Sequence, residues 1–175
     1  VDPNNFNIDI ECIKKAITPK TRAIVPVHLF GQCANMEAIL KIAKDNNLFV
    51  IEDNAQAIGA NYSFSDGSKA KAGTLGDVAS TSFFPSKNLG CYGDGGAIFT
   101  NDDDLAHSIR GIVNHGMYKR YHHDVIGVNS RLDSIQAAVL DAKLPKLDSY
   151  NQARRNAAKK YNTAFRTHPN LVIPK

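Results

Sequence analysis

Lys87 is the residue whose surroundings point most directly to chemistry. It lies in TSFFPSKNLGCYGDGGAIF (81–99), between Phe83, Phe84 and Pro85 on one side and Leu89, Cys91 and Tyr92 on the other. No acidic residue falls within four positions on either side. Apolar flanks desolvate an ammonium. A lysine used as a nucleophile must lose a proton it ordinarily keeps to about pH 10.4, and a drop of about 2 units costs about 3 kcal/mol, which burial without an acidic partner can supply. The contrary reading is a surface lysine that extends its amine into water over an apolar stem.

Asp53 is the second such residue. It follows LFVI, so its carboxylate should emerge at the carboxyl end of a buried parallel strand, the edge at which open α/β sheets bind ligands. Gln56 comes three residues later, one turn on if the chain begins to coil. Alone, Asp53 reads as readily as a helix cap. Ser82 ends the next apolar run, five residues before Lys87, where a hydroxyl can meet an anion or simply finish a strand. Gly90, Gly93, Gly95 and Gly96 let backbone approach a ligand closely. They precede a strand, AIFTN, instead of following one and opening a helix, which counts against a dinucleotide-binding fingerprint. A lysine able to form a Schiff base and an aspartate facing a pyridinium nitrogen are what pyridoxal phosphate requires. The order strand–Asp53, strand–Ser82, loop–Lys87 can bring all three to one sheet edge.

The elements needed to position them are visible in the periodicity. NIDIECIKKAI predicts a helix with Ile10, Ile13 and Ile17 in phase and Asn7 or Asp9 as cap. RAIVPVHLFG predicts a short buried strand closed by Gly31. MEAILKIAKDNN places Met36, Ile39, Leu40 and Ala43 on one helical face. LFVIED, GDVASTSFF and GGAIFTND read as strands, DDDLAHSIRGIV as a capped helix, and DSIQAAVLDAKL and YNQARRNAAKKYNTAF as helices parted at Pro145. NYSFSDGSKAKAGTLGD reads as a surface hairpin or loop. Strands alternating with helices over residues 20–55 argue for a doubly wound parallel sheet.

At 175 residues the chain has the length of one domain, or of a large piece of one. Its net charge of +4 is spread out, with no basic stripe interleaved with aromatics, so nucleic-acid binding is not expected. No apolar run approaches the roughly 20 residues of a membrane span, and no signal segment is visible at the start. Cys12, Cys33 and Cys91 are widely spaced and odd in number, which suggests a reducing, cytoplasmic setting. The opening VDPNNF, without a Met, reads as that of a fragment.

IEDNAQAIGA, SFFPSKNLGCYGDGGAIFTND, NHG and GVNSRLDSIQAAVL, with PVHLFGQCANM before them, closely resemble the sugar aminotransferases of the DegT/DnrJ/EryC1/StrS family over essentially the whole chain. The resemblance implies an α/β fold of fold type I, the aspartate aminotransferase-like large domain of pyridoxal 5'-phosphate enzymes, with a mostly parallel sheet and flanking helices. Residues 1–145 would be the central part of that domain, and 146–175 a helix leading toward a small C-terminal domain not present. Lys87 resembles the lysine that holds the cofactor as a Schiff base and serves as acid and base. Asp53 resembles the acid on the pyridine nitrogen, Gln56 the contact to the ring hydroxyl, and Ser82 a phosphate ligand. Asn129 matches an asparagine that reaches the phosphate from a second subunit, which implies a homodimer with shared sites. The implied substrates are glutamate and a nucleotide-linked keto sugar, aminated at C3, with C4 amination as the alternative. Relatives with histidine in place of the lysine remove a hydroxyl group instead. The loop between Gly59 and Gly73 is longer than in many members.

Two rival readings compete. His115, His122 and His123 with Cys91 suggest a metal, but their spacing matches no common zinc pattern; His115, in NHG, is a secondary candidate near an interface or substrate. The other rival is a regulatory or binding protein on the same fold, which would have no need of Lys87.

Overall fold

The structure is a computed structural model that describes residues 1–173; the last two residues of the predicted 146–175 segment lie outside the described residues. Asp9 starts helix α1 (Ile10–Ala16) by accepting the Cys12 N–H, and Ile13 is its buried anchor. Asn35 caps α2 (Met36–Asn46) by accepting the Ala38 N–H. Asn47, at φ 53, ends it in the left-handed region that asparagine tolerates. Met36, Ile39, Ile42 and Ala43 form the apolar stripe and meet Ile13, Ile24 and Val50 in the first core.

That core lies on one face of a four-stranded sheet built from β1 (Ala23–Ile24), β2 (Phe49–Asp53), β5 (Val78–Ser82) and β6 (Gly96–Phe99), in that spatial order. β1, β2 and β5 run parallel, and β6 is antiparallel to β5. Between β2 and β5 the polar stretch folds into an antiparallel hairpin of β3 (Asn61–Ser63) and β4 (Lys69–Lys71). Its Ser65 donates both N–H and hydroxyl to Glu37 on α2. Helix α3 (Asp103–Val113), capped by Asp102, leads into the small ribbon β7 (Met117–Lys119) and β8 (His122–His123). Then come α4 (Ser134–Lys143), a 3-10 turn at Leu144–Lys146 holding Pro145, and the long α5 (Leu147–Phe165). Phe83, Leu89, Cys91, Leu140 and Leu147 make a second core beneath the Lys87 loop.

RAIVPVHLFG departs from its expected form. Only Ala23–Ile24 join the regular ladder, with one further bridge from Val27 to Asp53. Ile24, Pro26 and His28 are buried, while Val25 and Val27 are exposed. The physical reason is one-sided cover: α2 packs on one face, and on the other Val25, Val27, Phe49 and Ile98 remain 37–64% exposed.

Helix α5 docks against the turn that follows β2 at Gly59. That residue has φ +83, and a Cβ there would meet Asn151 Nδ2 at 2.7 Å. Gly59→Ala should therefore destabilise the protein by about 1–2 kcal/mol from backbone handedness alone, with the clash adding to it. Chemical denaturation measures this, and an unchanged midpoint would contradict the docking.

Candidate active site

The parallel strands deliver the candidate residues in a fixed register. Asp53 pairs with Ser80 and Ser82 with Gly96, so Asp53, Ser80 and Ser82 share one face at the carboxyl edge of β2 and β5. Asp53 is held by the continuation of β1. Its N–H donates to Pro26 O at 2.9 Å, and its carbonyl accepts the His28 N–H at 3.0 Å. Its Oδ1 accepts the Ala55 N–H at 3.0 Å, closing an Asx turn with no helix behind it, so the helix-cap reading does not hold.

Gln56 lies in that turn, and its Oε1 accepts the Phe30 N–H at 2.7 Å. With the carbonyl end so engaged, the amide offers its Nε2 donors elsewhere.

The Lys87 loop is pinned by polar contacts rather than by regular structure. Lys87 N–H donates to Phe84 O at 2.9 Å. The neighbouring Asn88 Nδ2 donates to Ile58 O at 3.0 Å and to Asn151 Oδ1 at 2.9 Å, and Asn151 Nδ2 reaches the same Ile58 carbonyl. Lys143 of α4 donates to Gly90 O. Gly90 admits no side chain, because a Cβ would lie 2.5 Å and 2.7 Å from the Pro85 and Phe84 carbonyl oxygens. Gln136 Oε1 accepts the N–H groups of both Tyr92 and Gly93. Ser82 Oγ accepts the Phe84 N–H at 3.2 Å.

The expected apolar enclosure of Lys87 is only partial. Phe83, Leu89 and Cys91 turn into the second core, while Phe84 is 50% and Tyr92 80% exposed, leaving Lys87 half-buried.

Lys87 and Gln56 open onto one cavity of about 460 Å³, whose wall also includes Asn88, Asn151, Arg154 and Arg155 and contains no carboxylate. Asp53 and Ser82 do not line it. Asn129 sits elsewhere, bridged to Asn114, accepting from Arg131 Nε at 3.0 Å and lining a separate cavity. His115 is exposed, at φ 60, with its N–H on Val128 O and its carbonyl 2.8 Å from His123 Nδ1. Among the described residues no three His, Cys, Asp or Glu side chains converge as metal ligands.

Sequence reasoning missed a buried pair, Glu52 and His28, each 0% exposed. Glu52 Oε2 receives His28 Nε2 at 2.8 Å and Gly73 N–H at 2.8 Å; Oε1 receives Leu75 and Gly76 N–H, each at 2.7 Å. The Ala34 N–H donates to His28 Nδ1, so the ring carries its hydrogen on Nε2. Burial pushes the Glu52 carboxyl up, but the His28 and three backbone hydrogen bonds outweigh it and hold the group below its ordinary value. Burial, and then the Glu52 charge, push the nearby Cys33 thiol up. Strand parity was the available signal: Glu52 shares its face with Val50, and His28 with Ile24 and Pro26.

The profile of the DegT/DnrJ/EryC1/StrS aminotransferase family matches residues 1–175. The chain is 55% identical over 161 residues to a pleiotropic regulatory protein of Geobacillus stearothermophilus, covering 92% of this chain and 42% of that one. It is 51% identical over 170 residues to the UDP-2-acetamido-2-deoxy-3-oxo-D-glucuronate aminotransferase of Pseudomonas aeruginosa, covering 95% and 45%. In three dimensions it matches S. venezuelae DesV, solved with a ketimine intermediate, at a TM-score of 0.92 and 43% identity, covering 98% of this chain and 45% of that one. The chain thus spans less than half the length of these relatives.

Glu52 ties stability to pH. Its carboxyl lies below an ordinary value of 4.5 in the fold, so the anion stabilises the protein above that pH and the contribution is lost as pH falls toward the lower folded value. The titratable groups facing it are His28 and Cys33. Glu52→Gln should cost about 3 kcal/mol or more at pH 7 and lose this part of the acid dependence. Denaturation midpoints between pH 3 and 7 measure it; an acid limb as steep in the variant as in wild type would contradict it.

Proposed function

This chain belongs to the DegT/DnrJ/EryC1/StrS aminotransferase family, and from that premise we propose that the protein transfers an amino group from glutamate to a nucleotide-linked keto sugar, at C3, with pyridoxal phosphate as cofactor. The observation that carries this reading is that Lys87 and Gln56, the latter three residues after β2 ends in Asp53, line one cavity. The Pseudomonas relative is named for amino transfer at a 3-oxo sugar, which supports the position.

The residues present suit the cofactor chemically. Lys87 Nζ is a primary amine at a cavity wall without competing carboxylates. Asp53 supplies an anion for a ring nitrogen. Gln56, its Oε1 already taken by Phe30, offers an N–H donor to a ring hydroxyl oxygen. Ser82 supplies a hydroxyl for a phosphate. Bound there, pyridoxal phosphate supplies an electron sink for the carbon that carries the amine. Lys87 would hold the cofactor through its amine and, once free of it, would accept and return the proton that moves between substrate carbon and nitrogen. Asp53 would keep a proton on the ring nitrogen.

Asn129 has its own cavity, apart from the Lys87 wall, as a residue serving a second copy's site would. The chain around it exposes Ile126 at 97% and Ile135 at 72%, apolar surface suited to a homodimer interface. Residues 1–145 would form the central part of the cofactor-binding domain, and α5 would lead toward a second domain. Cys12, Cys33 and Cys91 are all free, in keeping with a cytoplasmic protein. No helix among the described residues is long and apolar enough to cross a membrane.

The regulatory relative favours a second reading, a binding protein that does no chemistry. Absorption spectroscopy separates the two. The full-length protein with added pyridoxal phosphate should show a near-visible band that glutamate abolishes or shifts, and Lys87→Ala should lack it. A wild type without the band would sink the transaminase reading and leave the regulatory one.

A further inference from the structure

We propose that the buried Glu52–His28 pair is the positioning unit for both ring-binding residues, Asp53 and Gln56, and so sets how tightly pyridoxal phosphate is held. The inference rests on the function proposed above and assigns a role to two side chains that touch neither cavity nor solvent.

Glu52 joins three chain segments. Through His28 Nε2 it holds the continuation of β1; through the Gly73, Leu75 and Gly76 N–H groups it holds the loop that feeds β5; and it is itself the residue before Asp53. All four short donors converge on two oxygens, so the carboxylate has one orientation that satisfies every partner. His28 is fixed in turn at its other ring nitrogen by the Ala34 N–H, 3.1 Å away.

From His28 two routes lead to the site. Its backbone N–H donates to the Asp53 carbonyl at 3.0 Å, which sets the peptide that aims the Asp53 side chain to the opposite face of β2. Two residues on, Phe30 stands at φ 56, outside helical geometry, and its N–H takes Gln56 Oε1 at 2.7 Å. That bond turns the amide so that its Nε2 end is the one on offer to a ligand. Loss of the Glu52 charge frees His28, and with it both the Asp53 peptide and the Phe30 donor. A wholly structural pair would cost stability alone; a positioning pair also weakens cofactor binding in protein that remains folded.

The test uses the full-length protein and pyridoxal phosphate as the probe. Dissociation constants come from titration of the near-visible band, ring orientation from the circular dichroism of that band, and folding from far-ultraviolet circular dichroism at the same temperature. Glu52→Gln and His28→Gln are compared with wild type, with Gln56→Ala, and with the Glu52→Gln/Gln56→Ala double variant. The expected result is folded protein with the dissociation constant raised about tenfold or more and an altered dichroic band. The double variant should bind much more tightly than the product of the two single losses predicts, because both act through one unit. His28→Gln can offer Glu52 a donor but loses the second ring nitrogen that fixes residue 28 to the Ala34 N–H, so it tests the same positioning if Glu52→Gln does not fold. Binding within twofold of wild type in a folded variant, or fully multiplicative losses, would overturn the proposal. A wild type that shows no band at all would instead overturn the underlying transaminase reading, and this inference with it.

Discussion

A carboxylate with no access to water is tolerable only if every oxygen lone pair has a donor, and Glu52 meets that condition with four. Its demand explains features that are otherwise unrelated. The chain after the β3–β4 hairpin presents three N–H groups in four residues, from Gly73, Leu75 and Gly76, where a helix or ladder would have used them internally. His28 is buried in a strand continuation otherwise made of aliphatic residues and proline because its ring supplies the fourth donor. Asp53 then emerges on the other face as a consequence of strand parity.

The Lys87 loop depends on a different set of restraints. It has no ladder of its own, so its shape comes from Asn88, Asn151 and Lys143, which tie it to the turn after β2 and to α4 and α5. The amine is therefore placed relative to Asp53 and Gln56 by side-chain amides and one tight glycine, Gly90. Phe84 and Tyr92 of this loop are exposed, as is the face of the sheet carrying Val25, Phe49 and Ile98. Apolar surface of that extent is of the kind that takes a packing partner.

Much of this was legible in the sequence because it depends on local rules. Helix phase placed Met36, Ile39 and Ala43 on α2's buried face, with Leu40 where the structure buries Ile42, offered Asn7 or Asp9 as the α1 cap, of which Asp9 serves, and set Pro145 as the break between α4 and α5. The apolar run before Asp53 placed it at a strand end. What escaped was long-range. IED reads as two carboxylates side by side, yet alternation sends Glu52 into the core and Asp53 to the opposite face, and only the fold shows that the donors for Glu52 come from residues 21 to 24 positions away. Apolar neighbours in sequence suggested an enclosed Lys87, but in a turn successive side chains diverge, and only some of them pack. Asn129 was singled out by motif alone, and its place in a cavity separate from that of Lys87 is a matter of tertiary placement that spacing does not carry.

Chemical trapping tests the central assignment most directly. Borohydride reduction of the full-length protein loaded with pyridoxal phosphate, followed by peptide mass mapping, should place a single pyridoxyl group on the peptide that contains Lys87. An adduct on any other lysine, or none from protein that has bound the cofactor, would contradict the placement of the chemistry at this sheet edge.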